Sequence, residues 1–309
     1  MFTFITFDIY LKRKIIIESK KLEDFTITKV FVTGATGLIG TKLTQRLLQE
    51  GYEVAGFTTS QQGKAKLVDA GVEAYIGDIL KYDTVEAAIS DYKPDIIMNE
   101  ITDLKNVDMS ANTKVRIEGT KNLVEAALKN NVKQMQSQSI AFTYEGGDTL
   151  ATEETPLDTQ STGDRKITVD GVEGLENETA RIENSVVLRY GLLYGPGTWY
   201  GKDGMIYNSF KEDTVTMTDG VQSFIHIDDA VEVAIQALNF ESGIYNVADD
   251  EPVKGDVWAA WYADLLNVNP QLNIQPAETH ERGASNAKFR AQGGKLIYPS
   301  WKQGMAPIK

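Results

Sequence analysis

Short apolar runs alternate with amphipathic stretches along most of this chain. Residues 29–33 (KVFVT) form a run rich in Val and Phe, as a buried strand does. In the next stretch Leu43, Leu47 and Leu48 share one face of a predicted helix. The pattern predicts further strands in YEVAGFT, VEAYIGD, PDIIMNEI, VKQMQSQSI and SVVLRYGLLYG, and further helices in SQQGKAKLVDAG, TVEAAISDY, TKVRIEGTKNLVEAALKNN and VEGLENETARIEN. This alternation is typical of right-handed βαβ units and predicts an α/β fold with a doubly wound parallel sheet.

The texture of the chain changes in two places. Residues 145–168 are polar and predict a loop, and after Tyr194 a turn-rich segment interrupts the alternation. A strand and a helix then follow, with Asp228 placed to cap the helix. The predicted boundaries are a nucleotide-binding domain at 29–195 and 221–248, a substrate-binding lobe at 196–220 and 249–309, and an extension outside the core at 1–28.

Composition excludes several classes of protein. The 309 residues carry a net charge of −13, which disfavours a nucleic-acid binder because phosphate backbones are negative. The absence of cysteine excludes disulfides and thiolate metal sites and fits a cytoplasmic protein, and two histidines leave little room for a His-rich metal centre, so we expect no metal. No apolar run reaches the roughly 18 residues of a membrane span. The expected partner is a small-molecule substrate, and the sequence sets no oligomeric state.

The strongest chemical signal is the segment TGATGLIG at residues 33–40. Gly34 lets the strand turn tightly, Gly37 lets the backbone approach a pyrophosphate, and Gly40 lets the following helix pack on the sheet. The helix N-terminus then offers free N–H groups and a positive dipole end to phosphates. Because the glycines lie between a predicted strand and a predicted helix, the segment predicts dinucleotide binding.

The end of the second predicted strand bears on the choice of dinucleotide. An NAD enzyme places an acidic residue there for the ribose 2′-hydroxyl, yet none lies between Glu53 and Asp69. We therefore expect NADP(H) rather than NAD(H), although the arginine usual for a 2′-phosphate is also absent. The candidate cofactor residues at this position are Thr58, Thr59, Ser60 and Lys64.

The motifs together resemble the extended short-chain dehydrogenase/reductase superfamily, the NAD(P)-dependent epimerase/dehydratase group. They are TGATGLIG, GDI (77–79), EGTKNLVEAA (118–127), LRYGLLYGPG (188–197) and SFIHIDDA (223–230), in the family's order. The tail segments RGASNAK and YPSWKQG look like a bacterial atypical subgroup. The resemblance implies a Rossmann-type fold with a small C-terminal substrate lobe, and an oxidoreductase or epimerase activity.

The resemblance also assigns cofactor contacts to single residues. It implies a pyrophosphate loop at Gly34, Thr36, Gly37, Leu38 and Ile39, an adenine contact at Asp78 and Ile79, a cofactor-lining segment at Glu100, Ile101 and Thr102, and a nicotinamide neighbour at Tyr190. A strand-end cap is an equal alternative for Asp78.

Catalysis is where the chain departs from the family. Members use a Tyr-x-x-x-Lys pair on a helix, yet residues 165–180, where that helix is expected, contain no tyrosine. Ser139 lies near the family's Ser/Thr position, and Tyr144 is a candidate replacement acid. The alternatives are a serine that bonds to the backbone and a packed aromatic residue.

A polar cluster near the C-terminus is the candidate substrate site. His280, Arg282 and Asn286 predict binding of an anionic or sugar-like ligand, and a solvated loop is the alternative. We expect an NAD(P)-dependent oxidoreductase or epimerase with a non-standard site, acting on a small carbonyl, hydroxyl or sugar-linked substrate. The competing interpretation is a non-catalytic NADP(H)-binding sensor or regulatory module.

Overall fold

The computed structural model describes residues 27–104 and 108–308, and all but two residues of the expected extension at 1–28 lie outside them. The strands are β1 Lys29–Thr33, β2 Glu53–Thr58, β3 Glu73–Ile76, β4 Ile96–Asn99, β5 Gln134–Ile140, β6 Asn184–Tyr190, β7 Leu192–Tyr194, β8 Thr216–Thr218, β9 Val221–Gln222, β10 Phe224–His226, β11 Gly243–Val247, β12 Val253–Lys254 and β13 Asn273–Gln275. The α-helices are α1 Leu38–Gln49, α2 Gln61–Asp69, α3 Tyr82–Tyr92, α4 Met109–Lys114, α5 Thr120–Lys129, α6 Gly163–Thr179, α7 Met205–Lys211, α8 Ile227–Gln236, α9 Gly255–Leu265, α10 Ala287–Ala291 and α11 Trp301–Met305. A π-helical turn, Val115–Gly119, joins α4 to α5.

The predicted α/β fold is confirmed by a seven-stranded sheet in which every pairing is parallel. The strand order is β11-β6-β5-β4-β1-β2-β3, so the chain builds outwards in one direction from β1 and in the other from β4. The carboxyl ends of all seven strands lie at one edge of the sheet. Ligands of such folds bind in the crevice at this edge, where the strand order reverses, here between β1 and β4.

Helices cover both faces of the sheet, as the continuous apolar character of the strands predicts. In β1, Val30 and Val32 pack on the face that α1 and α8 cover, and Phe31 packs on the face that α3 and α5 cover. A third apolar cluster lies outside the two faces of the sheet. It joins Phe224 of β10 to Phe210 of α7 and to Trp258 and Tyr262 of α9.

Two local predictions were wrong. The predicted loop at 145–168 overlaps the first six residues of α6, which begins at Gly163. Gly171 and Gly174 weaken the apolar pattern of this helix, but both are contact points. A Cβ at Gly171 would lie 2.9 Å from Thr113 Oγ1, so the glycine brings α6 close to α4. Asp228 does not cap α8, because the ring of His226 does so by accepting the Asp228 N–H.

A buried ion pair fastens α6 to the sheet. Glu176 of α6 accepts hydrogen bonds from Arg189 of β6, Nε to Oε1 at 2.8 Å and Nη2 to Oε2 at 2.5 Å. Ser139 of β5 also donates to Glu176 Oε1, at 2.7 Å. All three side chains are buried, so their charges and hydrogen bonds are shielded from water.

Removing the negative member of this pair is expected to destabilise the fold strongly. Glu176→Gln leaves the Arg189 guanidinium buried without a counter-charge, which costs about 3–5 kcal/mol of unfolding free energy. Glu178→Gln, on the same helix, breaks the exposed pair with Arg181 just beyond the helix end, is the matched control and costs less than about 1 kcal/mol. Urea unfolding measures both, and equal losses would contradict a structural role for the buried pair.

Candidate active site

The glycine segment forms a tight turn between β1 and α1. Gly34 has φ +67°, and a Cβ there would lie 2.5 Å from the carbonyl oxygen of Glu100. A Cβ at Gly40 would lie 2.2 Å from the carbonyl oxygen of Gly34. Both contacts are closer than any real Cβ makes, so this path of the backbone requires glycine at both positions.

The N-terminus of α1 opens towards the sheet edge. The helix begins at Leu38, after Gly37 in an extended conformation, and no side chain of the described residues caps it. The N–H groups of its first turn therefore have no intrahelical acceptor and remain available to a ligand. A diphosphate fits this cradle, because the glycines give it room and the helix dipole favours negative charge. Thr36, Leu38 and Ile39 lie in the same turn.

At the end of β2, some of the predicted cofactor residues have structural roles and others are exposed to solvent. Thr58 is buried, and the Ser60 hydroxyl accepts the N–H of Gly63 at 3.0 Å as the cap of α2. Thr59 and Lys64 are exposed. Lys64 borders a surface pocket together with Glu73 and Asp91, and its contact with a cofactor phosphate stays a prediction.

The residues after β3 have structural contacts of their own. Asp78 Oδ1 accepts the N–H of Leu80 at 3.0 Å, so the turn role considered for Asp78 is present. Ile79 is buried, and its carbonyl oxygen accepts from Asn122 at 2.9 Å. The adenine contact of these two residues stays a prediction.

Glu100 is a carboxyl group buried at the switch point, directly after β4. Neither of its carboxyl oxygens has a hydrogen-bond partner among the residues that the structure describes. Burial raises the pKa of Glu100 to about 8, from an ordinary value near 4.5. Ile101 and Thr102 follow it along the edge. Tyr190, at the end of β6, is buried too, and its hydroxyl donates to the carbonyl oxygen of Ala230 at 3.1 Å.

The two candidate catalytic hydroxyls already have acceptors within the protein. Ser139 donates to Glu176, and Tyr144 donates to the side-chain oxygen of Asn246. The Tyr144 ring lies 4.8 Å from the Arg189 guanidinium carbon and is buried, which raises the pKa of its hydroxyl. Helix α6, which packs on β5, contains no tyrosine. Neither hydroxyl is free to donate a proton unless its present bond breaks.

A cavity of about 200 Å³ opens beside the carboxyl ends of β5 and β6. Its wall includes Ala141, which follows β5, and Gly191, which follows β6. Tyr144 and two of the three predicted substrate residues, His280 and Arg282, also line it, whereas Asn286 does not. The Asn286 amide instead donates to Ala248 and Asp249 carbonyl oxygens and to Asp250, outside the cavity lining.

Sequence reasoning missed four polar residues of the cavity wall: Arg165, Gln222, Ser223 and Glu281. Arg165 lay in the segment that was predicted as a loop, where a lone arginine carries no signal. Gln222 and Ser223 lie at the end of a two-residue strand that no periodicity marks.

A family comparison agrees with this geometry. The model of the NAD dependent epimerase/dehydratase family matches residues 30–248. The chain belongs to this family. A relative over nearly the full length is the 3-diazoavenalumate denitrifying reductase of a Streptomyces species, 33% identical over 305 residues, which cover 90% of this chain and 99% of that protein. A UDP-glucose 4-epimerase of Mycolicibacterium smegmatis is 29% identical over 132 residues, 40% of this chain and 41% of that protein.

Solved structures agree on the fold. The UDP-glucose 4-epimerase of Thermus thermophilus, in complex with NAD, aligns with a TM-score of 0.73 at 24% identity, over 91% of this chain and 97% of that chain. The homologues of this chain are NAD-dependent epimerases, dehydratases and reductases, which are enzymes. In residues 27–104 and 108–308 no helix is long and apolar enough to cross a membrane, and no group of acidic or histidine side chains is arranged to hold a metal ion.

Glu100 is expected to make folding stability depend on pH. Its pKa is higher in the folded protein than in the unfolded chain, so its contribution is present below about pH 4.5 and lost as the pH rises through about 8. Relative to Glu100→Gln, the wild type should therefore lose several kcal/mol between pH 5 and pH 9, with about 5 kcal/mol as the ceiling. Urea unfolding of both proteins at each pH measures the difference.

Asp249, the other carboxyl whose pKa burial raises to about 8, is present in both proteins and drops out of this comparison. A difference that stays constant with pH would show that Glu100 is not held in its neutral form.

Proposed function

We propose that this protein is an NADPH-dependent reductase that transfers a hydride to a small electrophile without a tyrosine proton donor. The proposal rests on the position of the glycine cradle and the cavity at the same edge of the sheet. The glycine cradle and the cavity both lie at the carboxyl ends of the sheet, beside a helix, α6, that has no tyrosine. A nicotinamide cofactor, when bound, supplies the hydride.

The chain's own residues would hold the cofactor in three places. Gly34, Gly37 and the first turn of α1 take the diphosphate, and Ile79 and Asp78 border the adenine. Lys64 binds the 2′-phosphate. Because only NADPH carries this phosphate, the protein prefers NADPH over NADH. The absence of an acidic side chain at the end of β2 supports this preference, because a carboxylate there would repel the phosphate.

The reaction class follows from the missing proton donor. Reduction of a carbonyl to an alcohol consumes a hydride and a proton, whereas replacement of a diazonium group on a ring carbon by hydride releases N2 and consumes no proton. The carbon–nitrogen bond breaks, a carbon–hydrogen bond forms, and the cofactor leaves oxidised by two electrons. The name of the Streptomyces relative describes a reductase that removes nitrogen from a diazo compound. A site whose serine and tyrosine hydroxyls are bound within the protein suits such chemistry.

A second candidate is a non-catalytic NADP(H)-binding sensor, which the engaged Ser139 and Tyr144 hydroxyls also favour. It shares the cofactor residues and the expected cytoplasmic location with the first proposal. It differs in that no substrate is consumed.

Cofactor preference is expected to depend on Lys64. The wild type should bind NADPH about tenfold more tightly than NADH, equivalent to about 1.4 kcal/mol. Lys64→Gln should bring the two dissociation constants together by weakening NADPH alone. Lys66→Gln, an exposed lysine of the same helix, is the control and should leave both unchanged. Isothermal titration gives all six constants, and tighter binding of NADH by the wild type would contradict the assignment.

Hydride transfer is tested with NADPH that carries deuterium at C4. The protein should transfer deuterium to the ring of 4-carboxybenzenediazonium, giving deuterated benzoate, faster than to 4-formylbenzoate, whose reduction needs a proton. Mass spectrometry of the products measures both rates, with heat-denatured protein as the background control. NADPH binding with no transfer to either compound would support the sensor, and faster reduction of the aldehyde would contradict the missing proton donor.

A further inference from the structure

The cavity is walled on one side by a segment that crosses from the C-terminal lobe. We call residues 279–285 the C-terminal strap. Its backbone is bonded to the 147–151 loop on one side, where Gly147 N–H donates to Thr279 O at 3.1 Å, and to β9 on the other, where Val221 N–H donates to Glu281 O at 2.8 Å. The strap is therefore a fixed wall.

Arg282 of the strap carries a positive charge that the described residues do not neutralise. Its guanidinium donates to neutral oxygens only: the carbonyl and hydroxyl of Thr149, and the carbonyls of Glu145 and Gly146 at 3.3 and 3.2 Å. A Cβ at Gly147 would lie 2.3 Å from Arg282 Nη1, so a glycine makes room for this guanidinium. The cation is held in place by dipoles, in a chain whose net charge is −13.

No other ionisable group of the described wall forms an ion pair with Arg282. Arg165 is paired with Asp158, Nε to Oδ2 at 2.6 Å. The two carboxylate oxygens of Glu281 accept from Thr218 Oγ1 at 2.6 Å and from the Glu278 N–H at 2.8 Å. Burial and the neighbouring charge of Arg165 lower the pKa of His280, which keeps the imidazole neutral at pH 7.

Part of the wall is apolar, and the space is small. Ala141, Phe142 and Leu192 face the cavity from the ends of β5 and β6. A volume of about 200 Å³ lies below the roughly 300–1,000 Å³ of sites that take drug-sized ligands. A nucleotide sugar is larger than a drug-sized ligand, whereas a single ring with one acidic group suits this volume.

We infer that the cavity binds a small carboxylic acid with a planar apolar body, with its carboxylate against Arg282 and its body against Ala141, Phe142 and Leu192. The inference rests on the proposed function in taking this cavity as the substrate site. It goes further in naming the substrate class and in excluding nucleotide sugars. Charge-assisted hydrogen bonds from a guanidinium to a carboxylate supply both affinity and orientation.

The test uses trans-cinnamate and its neutral counterpart, cinnamamide, which have nearly the same shape. Both are titrated calorimetrically into the full-length protein saturated with NADPH, alongside UDP-glucose. Cinnamate should bind at least about tenfold more tightly than cinnamamide, weakening as salt increases, and UDP-glucose should not bind. Equal affinities for the acid and the amide, or binding of UDP-glucose in place of cinnamate, would overturn the inference.

Substitutions of Arg282 test whether its positive charge causes the preference for the acid. Arg282→Gln should remove the preference for the acid while leaving the dissociation constant of NADPH unchanged, and Arg282→Lys should retain part of the preference. Arg181→Gln, a surface arginine of an exposed ion pair, is the matched control and should change neither constant. If Arg282→Gln does not fold, the acid-to-amide ratio of the wild type decides. Failure of NADPH to bind would count against the proposed function instead.

Discussion

The contact between Gly34 and the backbone of Glu100 is the constraint on which the rest of this site depends. It lies where the order of strands reverses, and it is so close that no side chain fits between the turn after β1 and the end of β4. The same turn then meets Gly40, which sets α1 against the sheet. Both contacts involve backbone atoms, so steric exclusion fixes the position of α1 and the direction of its free N–H groups. Free N–H groups at a helix N-terminus suit an anion such as a diphosphate.

Placing the acidic side chain of Glu100 beneath such a turn costs stability. A buried carboxyl with no partner among the described residues favours its neutral form, because burial raises the pKa of Glu100 to about 8. The opposite solution is seen at Glu176, where a second buried carboxyl is charged and paired with Arg189. The same edge of the sheet therefore has an uncharged acid, Glu100, and an ion-paired acid, Glu176. The Ser139 hydroxyl donates its hydrogen bond to Glu176.

Sequence pattern predicted the parts of this protein that local rules determine. The strands around the glycine turn are short apolar runs, and the turn itself needs glycine for steric reasons, so β1, α1 and the cradle were predictable. The pattern places the start of α6 too late, because residues 163–168 are mostly polar and Gly171, a contact with α4, weakens the apolar pattern. The cavity wall depends on pairings such as Ala151 with Ala284, which join distant segments through backbone atoms and leave no mark in the sequence. His280 and Arg282 were chosen as a polar cluster, but only the structure separates them from Asn286 and adds Arg165.

We infer that the cradle and the cavity form one site, in which a nicotinamide meets a small acid. The most direct measurement is a crystal structure of the protein with NADPH and trans-cinnamate. We expect the diphosphate at the N-terminus of α1, the nicotinamide ring at the ends of β5 and β6, and the carboxylate within hydrogen-bond distance of Arg282. A nicotinamide directed away from the cavity, or a carboxylate bound elsewhere with the cavity closed, would contradict it.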